Sequence, residues 1–153
     1  MRIRDILSGL KVKDIAGADQ WHIIIVSAQT AIIDAAHILT KKKIGLLVVC
    51  DDKGGLVGVL SERDVVHAIA AHGKDAVDMT VDAFMTRDVE VCSLEDPPYK
   101  VMSRMSAGGF RHMPVMEGQT LKGVISSRDI IKYYADSGSS DQLVKLLKEV
   151  SWV

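Results

Sequence analysis

Two Ser-x-x-Asp groups carry the most specific chemistry in this chain, Ser61-Glu62-Arg63-Asp64 and Ser126-Ser127-Arg128-Asp129. Each follows an apolar run containing Gly-Val-Leu or Gly-Val-Ile and precedes residues at helical spacing, which places each serine at a helix N-cap. A hydroxyl there shares the positive end of the helix dipole with the first backbone amides, a seat for phosphate. An aspartate three residues on lies one turn along, where its carboxylate can accept hydrogen bonds from both ribose hydroxyls. The same residues also spell an ordinary capping box, which needs no ligand. Recurrence favours the ligand.

That recurrence is part of a longer repeat. Leu56 to Val66 returns as Leu121 to Ile131 with six identities and three exchanges of Leu or Val for Ile, a shift of 65 residues. Upstream, Gly45 to Asp51 aligns with Arg111 to Glu117 at a shift of 66, one residue having been gained or lost at the turn between. Each copy reads as β-α-β-β-α. In the first, His22 to Val26 is a strand, Thr30 caps a helix that Gly45 ends, Leu46 to Cys50 and Leu56 to Leu60 form a hairpin, and Ser61 caps a helix reaching His72. In the second, Val89 to Cys92 is the strand and Asp96 caps a helix with Pro97 at its first position. Arg111 to Met116 and Leu121 to Ile125 pair next, and Ser126 opens the last helix. The fold class is therefore α/β (α+β), with two copies that need each other's apolar faces and pack about a pseudo-twofold axis. Residues 1–74 hold a lead-in and the first copy, 75–135 the second, and 136–153 a tail with Leu143, Val144, Leu146, Leu147 and Val150 at helical spacing.

These copies, with Phe84-Met85-Thr86-Arg87-Asp88 ahead of the second, resemble a CBS domain pair from about Val12 to Tyr134. The likeness is greatest to stand-alone bacterial pairs related to the module inserted in inosine monophosphate dehydrogenase, whose catalytic barrel has no counterpart in this sequence. The resemblance implies a regulatory module that binds adenosine compounds such as AMP, ATP, NAD or S-adenosylmethionine between its two domains, requires no cofactor and catalyses nothing itself. It implies contacts from Ser61, Arg63 and Asp64, and from Ser126, Arg128 and Asp129. Arg111 and His112 stand where family members border the pocket, against Gly45 and Leu46 in the first copy. Thr86 matches a position near the ribose or base, and its counterpart by repeat is Ala16. Val59, Val124, Ile25 and Val91 are the apolar candidates for the adenine. Gly58 and Gly123 suit a close backbone approach by ligand, or a bulge. Unequal pockets follow from the Gly45-Leu46 and Ala16 differences. Family pairs associate into discs of four domains, which implies a homodimer and an unidentified regulated protein as further partner.

Composition narrows the alternatives. Lys plus Arg number 19 against 20 Asp plus Glu, so no global charge draws the chain to nucleic acid or anionic membrane. Lys41-Lys42-Lys43 closes a helix, where the dipole and solvent account for it, and aromatic residues are only 5% of the chain. Cys50 and Cys92 fit no zinc spacing and read as small buried hydrophobes in a reducing compartment. With no signal-peptide pattern and no apolar run of membrane-spanning length, a cytoplasmic location is expected. A nucleotide-processing enzyme lacks its motifs: there is no P-loop and no His-Glu-x-x-His, and His67 and His72 are five apart, off a common helix face. A structural dimerisation adaptor remains the alternative.

Overall fold

The computed structural model describes residues 1–9 and 23–150. The lead-in from Val12 to Ala16, and the start of the first strand at His22, lie outside the described residues. In chain order the elements are α1 (Ile3–Gly9), β1 (Ile25–Val26), α2 (Ile32–Lys42), β2 (Leu46–Cys50), β3 (Leu56–Ser61) and α3 (Glu62–His72). Two 3₁₀ turns, Gly73–Asp78 and Val81–Ala83, precede β4 (Cys92–Ser93), α4 (Pro98–Gly108), β5 (His112–Glu117), β6 (Thr120–Ser126), α5 (Ser127–Asp136) and α6 (Ser140–Glu149).

Two compact units result, one of residues 23–89 and one that joins 1–9 to 90–150 among the described residues. The repeat and the compact unit are thus different divisions: residues 75–89, counted with the second copy in the sequence, pack with the first. Each unit has a three-stranded sheet, ordered β1-β2-β3 or β4-β5-β6, whose first pair is parallel and second antiparallel. The parallel pair requires a crossover, which α2 and α4 provide. On the helix side of the first sheet, Val26, Leu47, Val49 and Leu60 meet Ile32, Ala35 and Leu39 of α2 and Val65 of α3. Fully burying each such aliphatic side chain contributes about 1.5–3 kcal/mol.

The second unit builds the equivalent core from Met113, Val115 and Ile125 against Val101, Met102, Met105 and Ile130, and adds elements from both chain ends. Helix α1 has only 7 residues and would not persist alone. Its Ile3, Ile6 and Leu7 are buried in that core, and it is tied to the turn before α4 by Ile3 N–H to Asp96 O and Arg4 N–H to Leu94 O, both 3.0 Å. The tail forms α6, whose Leu146, followed by Val150, joins the same core.

Three boundaries differ from the sequence reading. The cap residue of α2 is Ala31, without a side-chain bond, while the Thr30 carbonyl accepts Val81 N–H at 2.8 Å. Helix α2 ends at Lys43, in the left-handed region at φ 54°, two residues before Gly45. The cap of α4 is Pro97, because the Asp96 carboxylate accepts Ser93 N–H at 2.9 Å and closes the preceding turn.

Candidate functional site

Both Ser-x-x-Asp groups form complete capping boxes. Ser61 Oγ accepts Asp64 N–H at 3.2 Å while Asp64 Oδ2 accepts Ser61 N–H at 2.7 Å. In the second copy Ser126 Oγ accepts Asp129 N–H at 3.1 Å, and Asp129 Oδ2 accepts both Ser126 N–H at 2.8 Å and the Ser126 hydroxyl at 2.7 Å. The structural role of these residues is therefore realised in full. It does not exhaust them, since a carboxylate has about four acceptor positions over two oxygens and the box engages Oδ2 only.

The backbone amides are more committed than the spacing suggested. Among the first three of α3, Glu62 N–H donates to Gly45 O at 3.1 Å and Asp64 N–H to Ser61. In α5, Ser127 N–H donates to Arg111 O at 2.9 Å and Asp129 N–H to Ser126. A phosphate seated on a ring of backbone amides is consequently disfavoured here. The side chains of Arg63, Arg111 and Arg128 are exposed.

Strand register gathers the remaining candidates within each unit. Paired residues direct side chains to one face of a sheet, and so do residues two apart on a strand. Ile25 pairs with Val48 and Val48 with Val59, while Leu46 pairs with Ser61. Ile25, Val59, Leu46 and Ser61 therefore share the face opposite the helices. In the other unit Val124 pairs with Pro114 and Ser126 with His112, again one face, and Val91 directly precedes β4. Ile25 is 49% exposed, unusual for an isoleucine on a strand. The sequence reading missed Val48 and Pro114, the middle of each row. Their signal was a central strand apolar on both faces, where a half-exposed strand would alternate.

Thr86 lies with the first copy. Its N–H donates to Val59 O at 2.9 Å and its O accepts Val59 N–H at 3.0 Å, so its side chain shares the face of Val59, Ile25 and Ser61. The repeat counts Thr86 with the second copy, whereas its backbone pairs with β3 of the first. Ala16 is outside the described residues.

Gly58 acquires a definite role from the same pairing. A Cβ there would lie 2.8 Å from Met85 Sδ and 2.9 Å from Thr86 O, so the glycine admits the 84–86 segment against β3. It also adjoins a bulge, since the register slips between Val49 and Cys50, and the slip between Val115 and Met116 sits likewise beside Gly123. Both glycines mark bulges, and Gly58 receives protein backbone.

A depression of about 450 Å³ opens between Leu39 and Thr40 of α2, its cap residue Lys43, and Glu62 and Val65 of α3. It lies on the helix side, and none of the nominated residues lines it. Among the described residues no group of His, Cys, Asp and Glu could hold a metal ion, and no helix is long and apolar enough to cross a membrane. Cys50 and Cys92 are free and buried. Burial, with Asp96 nearby, pushes the Cys92 thiol up to about 12, and burial with Asp51 raises Cys50, so neither supplies a ready nucleophile.

Known proteins share this arrangement. The family model of the CBS domain matches residues 12–71 and 81–136. An uncharacterized 17.7 kDa protein of Acidianus ambivalens is 31% identical over 115 residues, which are 74% of this chain and 68% of that protein. Three other curated relatives are longer, and the chain matches only 39%, 21% and 37% of their lengths. The crystal structure of the CBS-domain containing protein ATU1752 from Agrobacterium tumefaciens superposes with a TM-score of 0.78 at 33% identity, covering 87% of this chain and 98% of that one. The CBS domain pair of protein MJ0100, solved in complex with 5′-methylthioadenosine and S-adenosyl-L-methionine, gives a TM-score of 0.72 at 27% identity, covering 88% and 99%.

Proposed function

The chain belongs to the CBS domain family, with two tandem copies, and from that premise we propose that it is a regulatory module that binds an adenosine-containing compound and performs no reaction on it. The observation that carries the proposal is the duplicated aspartate, Asp64 and Asp129, with one carboxylate oxygen committed to its cap and acceptor capacity left on the other, beside an apolar strand face. Ribose hydroxyls satisfy that carboxylate, and an adenine ring suits Ile25 and Val59, or Val91 and Val124. The two ligands of the MJ0100 pair share adenosine and carry no phosphate, in keeping with the committed backbone amides of α3 and α5.

AMP, ATP and NAD offer the same adenosine, and their phosphates would fall to Arg111, Arg128 and Arg63. The site with Thr86, Gly45 and Leu46 favours the less charged ligand, and the site with Arg111 and His112 the phosphorylated one. The bound state is read by a second copy of the chain or by a separate regulated protein, in the cytoplasm. Calorimetry with AMP, ATP, NAD and S-adenosylmethionine tests the assignment, together with mass spectrometry of any ligand retained through purification. Absence of binding by every adenosine compound below about 1 mM, a contact energy of only about 4 kcal/mol, removes it. Turnover of a nucleotide that disappears in Asp64→Ala would establish the enzyme reading instead.

A further inference from the structure

The helix-side depression of about 450 Å³ has the size of a small-molecule site. Its apolar lining is Ala36, Leu39, Ile44 and Val65, buried or half-buried, and its polar lining is Thr40, Lys43 and Glu62, all exposed. The repeat supplies a control for each position. Lys43 and Gly109 close α2 and α4 with the same bonds, Lys43 N–H to the carbonyls of Leu39 and Thr40 and Gly109 N–H to those of Met105 and Ser106, so the two helix ends correspond residue for residue. Ala36 then answers to Met102, Leu39 to Met105, Ile44 to Phe110 and Val65 to Ile130. Met102, Met105 and Ile130 are buried, and Phe110 packs against the same core. At three of four positions the first copy gives up apolar volume that a core ordinarily keeps.

Both charges in the lining are also particular to the first copy, Lys43 standing for Gly109 and Glu62 for Ser127. Lys43 has φ 54° and is the one non-glycine residue of positive φ among the described residues, whereas Gly109 takes φ 71° with no side chain to strain. A lysine kept there costs stability, and Lys41 and Lys42 already serve the dipole of α2. Neither Lys43 nor Glu62 enters an ion pair among the described residues. Glu62 N–H donates to Gly45 O at 3.1 Å, which ties the two walls together. We propose that the depression is a second ligand site, for an aliphatic α-amino acid, with its carboxylate on Lys43, its ammonium on Glu62 and its side chain on Leu39, Ile44 and Val65. Of the neighbouring charges, Lys41, Lys42 and Arg63 lie outside the lining and favour the carboxylate end, and Asp64 is engaged in its cap. The site shares no residue with the sheet face proposed for adenosine, so either reading can fail alone.

Calorimetry on the full chain with leucine, isoleucine, valine and methionine tests this, and at least one binds with Kd below about 1 mM. The matching acid without its ammonium, and the matching amine without its carboxylate, each bind at least about tenfold more weakly, because each leaves one charge of the depression unmatched. Ala36→Met copies Met102 of the second repeat, fills the space and abolishes binding with unchanged circular dichroism. Lys43→Gly copies Gly109 and weakens binding at least about tenfold while the chain melts no lower, so the loss is not one of folding. Both variants bind adenosine compounds as the wild type does. A nuclear magnetic resonance titration needs no variant: the amide shifts fall on 36–45 and 62–65. No binding by any of the four below about 1 mM, binding indifferent to both substitutions, or shifts concentrated in 90–150 overturns the site. Equal binding of the acid without its ammonium overturns the assignment to an amino acid.

Discussion

The aspartate of each capping box serves the helix in the structure and the ribose in the proposed function, and Asp64→Asn separates the two. An asparagine carbonyl still accepts Ser61 N–H, which Asp64 Oδ2 accepts at 2.7 Å, so the cap survives with its charge-assisted bond made neutral. The half-buried site makes that loss about 0.5–1 kcal/mol. At this chain length the melting temperature falls by about 2–4 °C per kcal/mol. The ribose diol loses a charged acceptor at both hydroxyls, about 2 kcal/mol in all and roughly 30-fold in Kd. Asp64→Ala removes both functions and costs about 1–2 kcal/mol of stability along with at least about 100-fold in affinity. Thermal melts and calorimetry on wild type, Asn and Ala variants, with adenosine and 2′-deoxyadenosine compounds side by side, read the two effects separately. The preference for ribose should shrink in Asp64→Asn. If Asn binds as tightly as wild type with the same ribose preference, while Ala loses affinity only in step with its melting temperature, the aspartate is a cap and nothing more.

Other outcomes follow from particular contacts. Gly58→Ala forces a methyl to within 3 Å of Met85 and the Thr86 carbonyl, which should cost about 1–3 kcal/mol in a denaturant titration. Lys43→Gly relieves a left-handed residue at φ 54° and should raise stability by up to about 1 kcal/mol, after the unfolded-state entropy of glycine is set against it. Iodoacetamide at pH 8 should leave Cys92 unmodified in the native chain and label it once urea unfolds it, because its thiol titrates near 12 when folded. The same raised value leaves stability flat below the unfolded thiol's range near 9 and lowers it as pH climbs from about 9 to about 12. Cys92→Ala should flatten that decline in pH-dependent unfolding.

Sequence alone determined the duplicated β-α-β-β-α string, because each element is specified locally: a serine cap with an aspartate at the third position, an apolar run of strand length, a turn of tolerant length. Those signals act within a few residues, and α3 and α5 begin as Ser61 and Ser126 predict. Where a group had a competing use the local signal misled, as at Asp96, whose carboxylate accepts Ser93 N–H, and around Thr30, where the backbone of 30–32 pairs with that of 79–81. Tertiary structure decided which copy residues 75–89 and α1 pack on. Residues 75–89 count with the second copy in the sequence but pack on the first, with Thr86 paired to Val59, while α1 at the other end of the chain docks beside Leu94 and Asp96. Nothing local announces that exchange, since a connecting segment has the same sequence whichever copy it covers. Only the packing that leaves Gly58 without a side chain and Ile3, Ile6 and Leu7 without water settles it.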